Sequence, residues 1–546
     1  MVSSSDPGER PSNIVPLRLV QPVRVHGERA RFGTAGGPGE SCETPPDERA
    51  APDDTAAPTN DSLRPLLRYL ADPREPFLVP LTVLLITHVV MWFFLPYAGE
   101  DAYITFRYAR NLVLGYGLTF NPGEPVMGFT SPLWTLWNAL GYALVHNPPI
   151  WSRASSVVAN ATTLLVVTAL VRQHSRAAAW VFAALFAGWT YFPNLAASGM
   201  ETGLMVALMA VSAALAARRH AAAGPTLAAL ALVRPEGAVA ALILALSAGW
   251  RDRLVALAIA GAGYGALTAY FGSPLPQSVL AKAQLYGTPG VLAGRHWWEW
   301  AMPLSFGRWP VTSEGQFLFL MSVVAGPAAV LGAIELWKHR GSALFWLATA
   351  GLAVWAGYCI SGTAYFWWYL AVPLATYFLL AALGLPRMVR GPALYIAGAL
   401  FIAGTWTIVF HFYAGRAKAE HNFAEAGTLL SARSTAWQSV MLEPIGLVGY
   451  LCKLRVIDEM GLVTPAVARR RATGEPGWYT DLVRAARPDW LVVRRGVVTN
   501  TQAFAGKGQP FRSAAERDAV FSDYRLVTWV DPASPDGAVG IFERVK

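Results

Sequence analysis

Charge is scarce in this 546-residue chain: only 14% of residues are Asp, Glu, Lys or Arg, against roughly a quarter in an ordinary soluble protein. A water-exposed surface cannot be built from so few charges. Cysteine is scarce as well. Its three positions, Cys42, Cys359 and Cys452, fall in three unrelated segments, which excludes a disulfide framework, a structural zinc and a haem attachment site. No Gly-rich phosphate loop is present, so nothing implies a nucleotide. The formal charge of +9 is spread between apolar runs and forms no basic stripe, which excludes a nucleic-acid partner. A secondary transporter, the main rival among membrane proteins, would show repeated pairs of broken helices. Here one break occurs, "RPEG" at 234–237.

What the chain does have is apolar residues, 54% of the total, and 21 tryptophans. That composition fits a multi-span helical membrane protein, with aromatics gathered at the bilayer interfaces. Each span needs about 20 apolar residues. Runs of that kind lie near 77–96, 152–171, 177–193, 202–217, 254–272, 316–336, 343–361, 365–386 and 392–413, and 223–249 reads as two short helices meeting at "RPEG". About eleven crossings result. Five short basic loops, at 171–176, 217–220, 250–253, 337–340 and 386–390, then fall on one side, which the excess of Lys and Arg makes the cytoplasm. The threading predicts a multi-pass protein of the cell (plasma) membrane with a cytoplasmic N-terminus. The run at 131–145 is expected to lie on the outer surface as an amphipathic helix.

Three regions follow. Residues 1–75 are rich in Pro, Gly, Ala and charge and poor in aromatics, which predicts a disordered cytoplasmic tail. Residues 76–413 form the transmembrane part, whose first run reads as a retained signal anchor. Residues 414–546 alternate short apolar strands with helical stretches, which predicts a small extracytoplasmic α/β domain.

The segment after the first span, "GEDAYITFRYARNLVLGYGLTFNPGEPVMGFTSPLW" (99–134), is dense in chemistry. Glu100 and Asp101 could simply cap the helix that follows. However, the other outer loops supply Glu201 in "ASGMET", Arg234 and Glu236 in "RPEG", Gln277 and Lys282 in "PLPQSVLAK", and Tyr365, Trp367, Trp368 and Tyr369. Ionisable groups at membrane depth are functional candidates. Arg234 reads equally as an ion-pair tie to Glu236 or Glu201, and the aromatic run equally as an interfacial belt.

These motifs, together with "EPIGLVGYLCKLRVIDEMGLVTP" at 443–465, resemble the GT-C class of polyprenyl-phosphate-sugar-dependent glycosyltransferases, and within it the actinobacterial arabinofuranosyltransferase B group. They occur in family order over about 77–500. Where the family often has Asp-Asp, this chain has Glu100-Asp101. The resemblance implies a GT-C fold and transfer of a sugar, arabinofuranose first and mannose or another pentose as alternatives. The donor would be a polyprenyl phosphate and the acceptor a cell-envelope glycan, as in arabinan and cell-wall biogenesis. Asp101 is the expected catalytic residue. Glu100, Tyr103, Arg107, Arg234, Glu236 and Lys282 are expected on the donor, and Glu201, Gln277, Tyr365, Trp368 and Tyr369 on the acceptor or lipid.

The chemistry asks for these residue types. Glycosyl transfer passes through an oxocarbenium-like state. A carboxylate can take the acceptor proton, and cations can hold the leaving phosphate. No cofactor is required. A divalent cation, Mg or Mn, is compatible with the site, but one phosphate can be held by Arg and Lys alone.

Overall fold

A computed structural model describes residues 75–286, 313–361, 366–389, 391–499, 504, 506–532 and 538–545. The expected N-terminal tail, apart from Glu75, and Tyr365 lie outside the described residues. Among the described residues fifteen α-helices come first: α1 Leu78–Phe94, α2 Ala102–Val113, α3 Pro132–Val145, α4 Pro148–Arg172, α5 Arg176–Gly188, α6 Tyr191–Ser198, α7 Thr202–Ala217, α8 Ala223–Val233, α9 Pro235–Ala245, α10 Trp250–Phe271, α11 Gln277–Tyr286, α12 Ser313–Lys338, α13 Ala343–Ser361, α14 Ala371–Met388 and α15 Pro392–Arg433.

The clearest sign of a membrane is α10. It is 22 residues long and of high mean hydropathy, yet no residue of its most apolar window is buried, and Leu254, Leu257 and Ile259 stand exposed. A helix that is apolar all round and faces outward is stable only in hydrocarbon. Among the described residues, four helices are long and apolar enough to cross a bilayer: α4, α10, α13, and α14 with its preceding turn, Trp367–Met388. The bent pair α6 and α7 would make a fifth. Helices also occupy the other expected crossings, but several are short. The 11 residues of α8 reach only about 16 Å at 1.5 Å per residue, roughly half the hydrocarbon thickness.

Local sequence explains where the helices break. Pro235 starts α9 at its first position and forces Arg234 before it into extended backbone, φ −160° and ψ 154°, as a residue preceding proline prefers. A Cβ at Gly237 would lie 2.1 Å from the Leu230 carbonyl oxygen, so glycine alone lets α9 turn back onto α8. Gly199, at φ +72°, makes the 116° bend between α6 and α7. Its carbonyl accepts hydrogen bonds from Trp134 Nε1 at 3.2 Å and Ser152 Oγ at 2.5 Å. At the opposite end of the bundle the basic loops gather. His174 packs edge-on against His339 at 5.0 Å, and Arg387 pairs with Glu335 at 2.9 Å. Helix α3 buries Trp134, Thr135 and Asn138 and exposes Leu136, Trp137, Leu140 and Leu144, an apolar outer face.

After the helices comes one five-stranded sheet, formed by β1 Ser439–Leu442, β2 Arg455–Asp458, β3 Trp490–Arg494, β4 Tyr524–Val530 and β5 Val539–Arg544 in the order β2-β1-β3-β5-β4. β1 runs parallel to β2 and β3, whereas β5 is antiparallel to β3 and β4. The strands alternate between two cores, as the pleat requires. Val440 and Leu442 join Tyr108, Phe120 and Val463 on one face, while Met441 joins Trp478, Tyr479 and Phe511 on the other. Residue 414, where a separate domain was expected to begin, lies inside the unbroken 42-residue α15. Residues 61–546 form one compact unit. The reason is the shared core: the first loop, 98–130, packs directly under the sheet.

One turn of this layer carries a pH signature. Asp458 accepts the backbone N–H groups of Met460 at 2.7 Å, of Leu462, and of Val463 at 3.0 Å. The neighbouring Glu459 is buried, with no hydrogen-bond partner for Oε1 among the described residues. Burial, aided by Glu443, pushes its carboxyl up to about 8. The folded state therefore holds this proton more tightly than the unfolded chain. Its contribution to stability is full below the ordinary carboxylate range and is lost as pH rises through about 8. Melting temperature in detergent should fall between about pH 5 and pH 9, and Glu459→Gln should flatten that fall. An unchanged slope in the variant would remove Glu459 as its source.

Candidate active site

The site is built at the sheet-bearing end of the helices, around an open cavity. Asp101, at the start of α2, lines it together with Glu201 at the start of α7, Arg234 at the α8–α9 break, Lys282 on α11, and Trp368 and Tyr369 on the turn before α14. Six residues expected from five separate loops thus meet at one opening. With Arg234 about 16 Å along α8 from its basic-loop end, the cavity sits within the apolar length of the helices.

Asp101 occupies the N-cap position of α2 but makes no side-chain capping bond. The capping reading therefore does not describe it. Glu100 precedes it in the chain. Glu100 in turn accepts the backbone N–H of Gly446, in the turn after β1. Burial, and then the Asp101 carboxylate beside it, hold the Glu100 carboxyl well above the usual range.

Arg234 is committed to protein carboxylates. Its Nη1 donates to Glu201 Oε1, and its Nε donates to Glu236 Oε1 at 2.6 Å. Tyr358 Oη adds a 2.7 Å hydrogen bond to that same Glu236 oxygen. The Tyr369 ring lies 5.2 Å from the guanidinium. One cation between two carboxylates has no surplus positive charge, so the ion-pair reading of Arg234 describes this geometry. Glu236 serves that tie and does not line the cavity.

Lys282 differs. Its ammonium sits 4.7 Å from the Phe366 ring centre and 5.8 Å from that of Trp368, and no carboxylate among the described residues pairs with it. One turn earlier, Ser278 lines the same cavity and is buried, with no hydrogen-bond partner for its Oγ among the described residues. Phe366 stacks on Trp368 at 4.7 Å and 13°, giving the cavity a flat apolar wall.

Three expected contacts fall elsewhere. Arg107 is fully buried. Its guanidinium donates to the carbonyls of Phe120 at 2.8 Å, Gly449 at 2.6 Å and Leu454 at 2.6 Å, and to Asn121 Oδ1 at 3.2 Å. It ties α2 to the sheet layer and cannot reach a phosphate in the cavity. Tyr103 packs into the core against Phe106 and Tyr450. Gln277 donates to the Gly461 carbonyl at 3.2 Å, and so fastens α11 to the turn after β2. The Asn-Pro-Gly segment is fastened likewise. Asn121 accepts Val456 N–H at 3.0 Å and donates to Val456 O at 2.9 Å, completing the edge of β2 as a further strand would. Most of the density of the first loop is therefore a clasp, and Asp101 is the part of it that lines the cavity.

Sequence reasoning missed Ser278, and also Thr130, Ser131 and Leu462, which line the cavity too. Polar hydroxyls carry little signal in a sequence, and Leu462 arrives only because Asp458 curls its turn over the cavity. Among the described residues no group of three or more His, Cys, Asp and Glu could hold a metal ion, so no step is derived through one.

A family model described as a domain of unknown function (DUF8728) matches residues 411–542. No curated protein matches. Among solved structures, the chain is similar to ArnT from Cupriavidus metallidurans bound to undecaprenyl phosphate. The identity is 13%, covering 89% of this chain and 98% of that one, with a TM-score of 0.55. The apo state of the same protein matches at 12% identity, over 85% and 97% of the two chains, also with a TM-score of 0.55. At this identity the likeness is one of architecture alone.

Proposed function

We propose that this protein is a GT-C-type membrane glycosyltransferase that moves a sugar from a polyprenyl-phosphate donor to a glycan hydroxyl on the outer face of the membrane. The observation that carries the reading is the meeting of Asp101, Lys282 and the Trp368 and Tyr369 rings in one cavity sunk into the helices. A lipid donor keeps its chain in hydrocarbon and needs its phosphate and sugar received at that level. In this reading Asp101 takes the proton of the acceptor hydroxyl. Lys282, with Ser278 beside it, holds the phosphate whose charge grows as the glycosidic bond breaks. Trp368 and Tyr369 offer apolar faces to the sugar. Arg234, braced by Glu201 and Glu236, keeps the α8–α9 break rigid at the cavity wall. The ArnT structure holding undecaprenyl phosphate supports a lipid phosphate as ligand, and the motif resemblance favours arabinofuranose over mannose or another pentose.

The test is incubation of purified protein with a panel of polyprenyl-phosphate sugars and a short glycan acceptor, with products read by mass. Transfer from one donor supports the reading; transfer from none contradicts it. Lys282→Met separates binding from chemistry. A charge-assisted contact contributes roughly 1.5–3 kcal/mol, so the affinity for undecaprenyl phosphate should fall by about 10–100-fold. Unchanged affinity would take the phosphate away from Lys282.

A further inference from the structure

Helix α4 is long and apolar enough to cross a bilayer, yet it buries a polar stripe that includes Ser152, Arg153 and Asn160. All three donate to carbonyls of the bent pair α6 and α7. Ser152 Oγ takes Gly199 O at 2.5 Å, Arg153 Nε takes Ala197 O at 2.7 Å, and Asn160 Nδ2 takes Phe192 O at 2.9 Å. A bent helix leaves such carbonyls open, and hydrocarbon offers them no partner.

Arg153 does more than its neighbours. Its Nη2 donates to the Leu95 carbonyl and to that of Tyr97 at 3.2 Å, and its Nη1 to that of Pro96 at 3.4 Å. The Trp92 ring of α1 lies 5.0 Å from the guanidinium. One buried cation thus joins the C-terminal ends of α1 and α6, where the helix dipoles favour positive charge. The two joined segments lead directly to cavity carboxylates. Gly99 N–H donates to Ser198 O at 2.8 Å, and Ala102 N–H donates to Gly99 O at 3.0 Å as α2 begins. Asp101 follows on one segment and Glu201 on the other, and both line the cavity.

We propose that Arg153 is a positioning residue: its guanidinium sets the segment that carries Asp101 against the bend that carries Glu201, and so holds Asp101 in place across the cavity. The planar fork matters here, because it fixes both ends at once, as a flexible point charge would not. Misplacing a reacting group by about 1 Å costs on the order of 10²-fold in rate. This inference rests on the function proposed above for its effect on turnover, but not for the hold itself.

Arg153→Met should lower kcat on the order of 10²-fold and leave the affinity for undecaprenyl phosphate unchanged, since the cation assigned to the phosphate is Lys282. Asn160→Ala is the control for a purely structural role. It also strips a buried carbonyl of α6 of its donor but touches nothing in 95–101, so it should lower the melting temperature and keep the parent's kcat. Hydrogen exchange supplies a readout without turnover. The amides of 99–104 should exchange at least about tenfold faster in Arg153→Met, the scale of one lost charge-assisted hydrogen bond, and at the parent's rate in Asn160→Ala. Should Arg153→Met fail to fold, Arg153→Lys, which keeps the charge but loses the fork, answers on the same two readouts with losses in the same direction. Parent-like exchange over 99–104 without the guanidinium would overturn the proposal, as would an equal loss of kcat in Asn160→Ala. If no donor is turned over at all, the glycosyltransferase reading fails, yet exchange still decides whether Arg153 holds the segment.

Discussion

Asp101→Asn is expected to lower sugar transfer by about 10²–10⁴-fold, the usual loss when a general base is removed, while the protein keeps its melting temperature and its affinity for a lipid phosphate. The stability half of this expectation is structural. Asp101 makes no capping bond to α2, and Asn fills nearly the same volume. Binding should also survive, because the cation assigned to the phosphate is Lys282. Rates and melting temperatures on parent and variant check both halves. Near-normal turnover would reduce Asp101 to a bystander at the cavity mouth. A variant that transfers nothing because it no longer folds would show the carboxylate to be a structural tie.

Arg234→Met should be the most destabilising single change at the site. Glu201 is buried, and Glu236 Oε1 takes hydrogen bonds from both Arg234 and Tyr358. Removing the cation between them leaves two carboxylates unbalanced. The loss of one partner from a buried ion pair costs about 3–5 kcal/mol, whereas replacing the whole group by neutral side chains is often nearly harmless. The triple variant Arg234→Met, Glu201→Gln, Glu236→Gln should thus recover most of the melting temperature lost by the single one. If Arg234 instead held the donor phosphate, the triple variant would be stable but would bind undecaprenyl phosphate as poorly as Lys282→Met. Stability and binding therefore separate the brace from the phosphate contact.

The convergence of Asp101, Glu201, Arg234, Lys282, Trp368 and Tyr369 was legible because each sits in a short loop or break between apolar runs, and the threading puts those loops at one end. The helices were legible for a related reason: about 20 apolar residues in a row leave few alternatives. The direction of individual side chains was not. Arg107 lies six residues after Asp101 on the same segment, and its sequence neighbourhood looks as reactive. Its fate is set by the carbonyls of Gly449 and Leu454, more than three hundred residues later. Tyr103 and Gln277 were misread for the same reason, since the groups that claim them belong to the sheet layer or its turns. The boundary at residue 414 falls inside a helix, because a helix keeps its 3.6-residue period while its polarity changes. Composition marks that change, but the backbone does not.

The most direct measurement is a structure of the full-length protein in lipid with undecaprenyl phosphate added. The account predicts the phosphate inside the cavity, within hydrogen-bond distance of Lys282 Nζ and Ser278 Oγ and on the side facing Asp101, with the prenyl chain leaving between helices toward the bilayer. A phosphate bound away from Lys282, or a cavity left empty at saturating lipid, would contradict it.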